Sequence, residues 1–209
     1  MLVTKVEKAG KGRYRVYLDE KENFVLYQAE LSQYGIRQDG ELSEEVYREI
    51  LEDVLQRRAR LRCMNLLKSM DRTEWQLREK LSQGGYPKGI IDQAIDYVKG
   101  YGYVDDARYA SRYLECYRDR KSLMQMTWDL KDKGISPEEI RLAVEDAKPV
   151  DEKALIRRWI AKKKVDLTKA EPSDIRKLYM FLMRKGFSAR DVSKVIKESG
   201  DFYETDTFT

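Results

Sequence analysis

The chain has 209 residues, 42% apolar and 37% charged, with a formal net charge of +4, 12 glycines and 4 prolines. That length can bury a real core in one large domain or a few small ones, and so much charge with so few breakers favours helices under a charged surface. The chain contains no histidine, which excludes Ser-His-Asp and Cys-His catalysis, histidine general bases and histidine-bound metals. Cys63 and Cys116 have no C-x-x-C partner, so neither a zinc site nor a disulfide framework is expected, and a reducing compartment is the default. No stretch approaches the ~20 apolar residues of a membrane span, and the N-terminus lacks the apolar core of a signal peptide. The expected location is therefore cytoplasmic.

Residues 1–43 read as a small antiparallel β-meander. Leu2, Val3 and Val6 precede a turn at Gly10-Lys11-Gly12. Tyr14, Val16 and Leu18 then alternate with Arg13, Arg15, Tyr17 and Asp19, as in a half-buried strand. Lys21-Glu22-Asn23 fits a second turn, and Phe24-Val25-Leu26-Tyr27 a third strand. Three strands are close to the minimum for independent stability, so the meander is expected to lean on helices. From Glu44 the period changes. Val46, Ile50, Leu51, Val54, Leu55, Ala59, Cys63, Leu66 and Leu67 predict one long helix over about 44–69.

An internal repeat organises the rest. With Gly85, Gly134 and Gly186 aligned, Leu81, Leu130 and Leu182 lie four residues before, and Leu77, Met126 and Leu178 eight before. Tyr86, Ile135 and Phe187 follow directly. Ile91, Ile140 and Val192 come six after, and Ala94-Ile95, Ala143-Val144 and Val195-Ile196 nine and ten after. Each copy predicts a helix that stops on a left-handed glycine, a residue that packs back, and a second helix. Ser136-Pro137-Glu138-Glu139 combines an N-cap serine, proline at the first position and glutamate at the third, and Ser188 with Asp191 is a weaker version. A further amphipathic stretch precedes each pair, at 44–69, 105–119 and 152–164. The predicted fold is mainly α: three tandem three-helix repeats (44–102, 103–149, 150–199) in an elongated array with shared cores, between the meander and an acidic tail at 200–209.

No catalytic constellation is visible. Asp105-Asp106 fits a helix N-terminus better than a metal or acid site, and Gly84-Gly85 and Gly100-x-Gly102 are helix terminators without a phosphate-loop context. Trp128 is expected in packing; Trp159 is weighed as a base-stacking ring. Charge is uneven: residues 151–197 carry 14 bases against 6 acids, residues 101–150 only 9 against 10, and Glu198–Thr209 four acids and no base. Two basic runs stand out, Arg57-Arg58-x-Arg60-x-Arg62 and Arg157-Arg158-x-x-x-Lys162-Lys163-Lys164. Arg157, Arg158 and Lys162 are expected on one face. Closely spaced cations suit phosphates, with a solvated helix surface as the bland alternative.

The elements Trp75-Gln76-Leu77-Arg78-Glu79-Lys80-Leu81, Gly85-Tyr86, Tyr103-Val104-Asp105-Asp106-x-x-Tyr109-Ala110 and Leu130-x-x-Lys133-Gly134-Ile135 resemble the RecX family, bacterial regulators of the RecA recombinase. The resemblance spans about residues 50–197. It implies a non-enzymatic protein; a monomer without cofactor is expected. Such a protein lies in the groove of the RecA filament on single-stranded DNA, with double-stranded DNA a further option, and suppresses ATPase, strand exchange and co-protease activity. It also implies roles in recombination regulation, DNA repair and the SOS response. In the second repeat the family's basic helix start is reduced to Lys121, so the third repeat's cations are expected to carry more of the contact. The competing reading is a stand-alone helical nucleic-acid-binding module that does not act on RecA.

Overall fold

The computed structural model describes residues 1–19 and 23–200. Most of the turn read at 21–23 and nearly all of the acidic tail lie outside the described residues. The chain forms two compact units, Met1–Asp106 and Ala107–Thr209.

In the first unit, β1 (Val3–Gly10), β2 (Arg13–Leu18) and β3 (Phe24–Tyr27) form an antiparallel sheet in the order β1-β2-β3. Val16 pairs with Val6 on one side and with Phe24 on the other, and both Val16 and Phe24 are fully buried. The sheet does lean on helices: Val3, Val16, Phe24 and Leu26 share one core with Ile50, Leu55, Leu77, Leu81 and Ile95. A short helix that the strand pattern hid, α1 (Gln28–Gln33), follows β3 directly.

The long helix expected over 44–69 is continuous but not uniform. α2 (Glu44–Glu49) passes through a π-helical stretch, Ile50–Gln56, into α3 (Arg57–Ser69). The apolar spacing explains the change. Ile50 and Leu55 are five residues apart and both fully buried, and i→i+5 turns bring positions five apart onto one face. α4 (Glu74–Gln83) and α5 (Lys88–Gly100) complete the unit. Thr73 caps α4 reciprocally with Gln76.

The second unit holds α6 (Asp106–Tyr117, its first residue in the first unit), α7 (Leu123–Asp132), α8 (Pro137–Asp146), α9 (Glu152–Lys163), α10 (Pro172–Arg184) and α11 (Ala189–Gly200). α6–α8 close around Leu114, Met126, Leu130 and Ile140. α9–α11 close around Ile156, Leu178, Leu182, Phe187 and Val195. A shared core was expected. These two are separate clusters, with half-buried Val150 packed against both.

The repeat is a repeated turn. Gly85, Gly134 and Gly186 all have φ near +80° and stand one residue past the C-caps of α4, α7 and α10. In each, the glycine N–H donates to the carbonyl three residues back: Ser82, Lys131 and Met183, all at 2.9 Å. The N–H of the following residue donates to the carbonyl of Leu81, Leu130 or Leu182, at 3.4, 3.1 and 3.3 Å. These are Schellman motifs, which satisfy helix-end carbonyls while the residue after the glycine packs against the leucine. Ile135 and Phe187 are buried and Tyr86 half-buried. The next helix starts three residues after each glycine, at Lys88, Pro137 and Ala189. At Ser136 the expected capping box with Glu139 is present.

A polar network ties α6 to α7. Asp129 accepts from Lys121 at 2.6 Å and from the Tyr113 hydroxyl at 2.8 Å, and Lys121 also donates to that hydroxyl at 2.8 Å. Burial opposes the ionised form of Asp129, but hydrogen bonds from Lys121, Tyr113 and Gln125 outweigh it and hold its pKa below the usual range. Burial pushes the Tyr113 phenol up to about 12, with its bond to Asp129 adding to the rise.

Replacing Leu130, fully buried beside Ile140, with alanine should cost about 2–5 kcal/mol in a urea titration. The glycine turns give a sharper comparison. A Cβ on Gly186 would sit 2.8 Å from Ser122 Oγ and 3.0 Å from the Gln125 amide, whereas a Cβ on Gly102, at φ +70° in the same kind of turn, meets nothing within 4 Å. Gly102→Ala should cost only left-handed strain, about 1–2 kcal/mol, and Gly186→Ala clearly more. The Tyr113 network sets an alkaline limit. A folded-state pKa raised to about 12 means the folded state holds its proton more tightly than the unfolded one, whose phenol titrates near 10. That contribution is complete below about pH 10 and is lost as pH rises towards 12. Tyr113→Phe should flatten the fall in stability over that window.

Candidate nucleic-acid interface

The two basic runs divide into cations the fold consumes and cations it leaves outside. On α3, Arg58 is consumed. Its guanidinium pairs with Glu30, donates to the Val25 carbonyl at 3.2 Å and lies 4.7 Å from the Tyr27 ring centroid. Arg60 lies 4.7 Å above the Tyr97 ring. Arg57 and Arg62 are exposed and, among the described residues, have no carboxylate within 4.0 Å. The run wraps the helix, so its arginines do not converge on one point. Lys121 is committed to Asp129 and Tyr113, with its ammonium 4.5 Å from the Tyr117 ring.

On α9 the expected common face does not form. Arg157 reaches towards α11 and pairs with Glu198 at 3.0 Å, while Arg158 donates to the Asp119 carbonyl at 2.6 Å, beyond the end of α6. Neighbouring helix positions are about 100° apart, which separates the two. Lys162, Lys163 and Lys164 are all exposed. Lys162 lies 5.0 Å over the Trp159 ring and Lys163 4.4 Å over Phe181. Lys164 ends α9 in a left-handed conformation, φ 54°, rare for a residue with a side chain.

The last two lysines line an open cleft of about 580 Å³ formed by the α9–α10 connection and one face of α10. Lys169, Lys177 and Arg184 complete its cations, Asp166 and Asp174 are its acids, and Phe181 and Leu178 give an apolar wall. Both acids are occupied: Asp174 by Lys177 at 2.8 Å, Asp166 by the Thr168 amide and hydroxyl. Among the described residues, Lys163, Lys164, Lys169 and Arg184 have no ion-pair partner, so the cleft carries surplus positive charge. Trp159 meets Phe181 edge-on with centroids 5.4 Å apart, and Lys185 lies within 6 Å of both rings. Trp159 is therefore half-buried packing that carries cations, while Trp128, expected in packing, is 43% exposed on α7.

Lys169, Lys177, Arg184 and Lys185 were missed because no run contains them. Lys177, Phe181 and Arg184 at i, i+4 and i+7 on α10 were the available signal. Asp106 proves to cap a different helix from its own: its carboxylate accepts from the Glu74 amide, in the first turn of α4, at 2.9 Å. Among the described residues no group of three His, Cys, Asp or Glu side chains could hold a metal, and no helix is long and apolar enough to cross a membrane. The arrangement can attract phosphates and offer ring faces.

Comparison with known proteins places the chain. The family description "RecX, first three-helix domain" matches residues 59–97, and "RecX, third three-helix domain" matches residues 151–196. "Regulatory protein RecX" of Clostridium botulinum (strain Alaska E43 / Type E3) is 31% identical over 207 residues, covering 94% of each chain. Its namesake in Clostridioides difficile (strain 630) is 28% identical over 220 residues, covering 98% of this chain and 99% of that one. A solved "regulatory protein RecX" superposes with a TM-score of 0.60 at 26% identity, over 94% of this chain and 98% of its own. RecX from Lactobacillus salivarius shares the fold, with a TM-score of 0.56 at 18% identity over 69% of this chain and 96% of its own. The three-helix units, the fold and 31% identity over nearly the full length agree: the chain belongs to the RecX family of regulatory proteins.

Proposed function

We propose that the protein is a non-catalytic inhibitor of RecA that lies in the groove of the RecA–single-stranded DNA filament and suppresses ATPase, strand exchange and co-protease activity. It acts in the cytoplasm as a monomer, with three repeats at 44–102, 103–149 and 150–199 as its working parts. RecX-family membership supports the regulatory role, and the observation that carries the DNA contact is the α9–α10 cleft. There, four cations that have no ion-pair partner among the described residues line a cleft together with Phe181, in a segment with 14 bases and 6 acids. Each phosphate neutralised by such a cation releases condensed counterions, so the contact must weaken with salt.

Lys164 separates function from fold. A glycine would hold its left-handed conformation without steric cost, yet the position carries a lysine. Lys162→Ala, Lys163→Ala and Lys164→Gly together should leave the unfolding midpoint near the parent's. They should lower the salt slope of single-strand binding by roughly 2, at about 0.7 per phosphate contact, and weaken inhibition of RecA ATPase. Unchanged slope and inhibition would make this surface mere solvation.

A further inference from the structure

The motif Tyr103-Val104-Asp105-Asp106 contains one residue that the fold does not use in the ordinary way. Val104 is buried in the first unit's core, and Asp106 holds the amide of Glu74. Tyr103 follows Gly102 in a further Schellman turn, at the end of α5. The Gly102 amide donates to Lys99 O at 2.8 Å and the Tyr103 amide to Val98 O at 3.0 Å. In the three repeat turns, and after Gly35 at the end of α1, the residue in this place is buried or half-buried. Tyr103 is 51% exposed.

Its ring stacks instead on Tyr101, itself 64% exposed, with centroids 6.0 Å apart and planes at 22°. Tyr101 meets Tyr97 at 4.9 Å, and the Arg60 guanidinium lies over Tyr97. Arg60 Nε is buried with no hydrogen-bond partner among the described residues, and Arg57 lies one turn earlier on the same side of α3. The result is a strip with cations at one end and open aromatic rings at the other. Two exposed phenol rings stacked on each other gain little for the fold and present a π-face to solvent.

From this juxtaposition we infer that Tyr101 and Tyr103, with Arg60 over Tyr97, form a stacking subsite for unpaired bases of single-stranded nucleic acid on the first unit. The inference rests on the DNA-binding reading above. A base does not enter between the two rings, which are already stacked on each other. It stacks on an outer face, which only an unpaired base can offer. Asp96 and Asp105 occupy the same stretch of chain, which favours neutral base faces at the rings and leaves phosphates to the Arg57–Arg60 end. Single-strand binders commonly combine ring faces with a cationic track in this way.

The test is fluorescence anisotropy with the full chain at fixed salt, using a 15-nucleotide oligo-dT and an abasic oligomer of the same length. The variants are Tyr101→Leu/Tyr103→Leu and Tyr101→Phe/Tyr103→Phe. The leucine pair should bind oligo-dT roughly 5-fold to 150-fold more weakly, the range for one lost base stack, with the salt slope unchanged. The phenylalanine pair should match the parent, and all three proteins should bind the abasic oligomer alike. A parent that binds oligo-dT with a clear salt slope, but no more tightly than the leucine pair does, overturns the subsite alone. Normal DNA binding by the leucine pair with lost inhibition of RecA ATPase also overturns it, and makes the rings a protein contact. A parent that binds neither oligomer overturns both the subsite and the reading beneath it.

Discussion

A helix that ends on a left-handed glycine sends the chain back over its own last turn, so the residue after the glycine must be able to cover the leucine before it. That constraint, met at Gly85, Gly134 and Gly186, fixes the geometry of three helix pairs. The leucines Leu81, Leu130 and Leu182 are fully buried beneath those turns. Close approach reinforces the turn in two of them. At Gly85 an added Cβ would fall 2.3 Å from Val25 Cγ2, so the absence of a side chain lets β3 approach the end of α4. At Gly186 it would meet Ser122, which caps α7 and donates to the Lys185 carbonyl at 2.6 Å. One glycine thus serves both as a helix stop and as the place where a second helix is seated.

Once the cores are closed, the charge left over is what a partner can meet. Counting cations along the sequence overstates that surface, because several are already spent. Arg58 fastens α3 to β3 and α1, Lys121 fastens α6 to α7, and Arg157 pairs with α11. Exposed ion pairs of the last kind contribute little to stability and can be exchanged for phosphates. Lys163, Lys164, Lys169 and Arg184 differ in having no ion-pair partner to give up among the described residues, and two of them, Lys164 and Lys169, come from the connection between α9 and α10. The left-handed Lys164 fits a site where local backbone ease has been traded for the placement of a charge.

The repeat was legible in the sequence because its signals are local: a glycine, a leucine four residues before it and an apolar residue after it. Capping at Ser136 and the β-meander were legible for the same reason. The π-helical stretch was not, since Ile50 and Leu55 differ from an α-helical pattern by a single residue of spacing. Nor was the division of the basic runs. Arg58 and Arg57 are alike until the chain brings Glu30 and Tyr27 beside one of them. The cleft's Lys169, Lys177 and Arg184 come from a connection and a helix face, and only the fold sets them beside Lys163. The exposure of Trp128 and Tyr103 likewise depends on which neighbours arrive, which aromatic character alone does not reveal.

The proposed action of the protein is on the RecA filament, beyond any affinity for DNA itself. The most direct measurement is the number of chains per RecA protomer needed for half-inhibition of the DNA-dependent ATPase, taken at several concentrations of single-stranded DNA. The account predicts half-inhibition well below one chain per protomer and little change when free DNA is added. Inhibition only at amounts that coat the DNA, and relieved in proportion to added DNA, would contradict it and leave a nucleic-acid-binding protein that competes with RecA for its substrate.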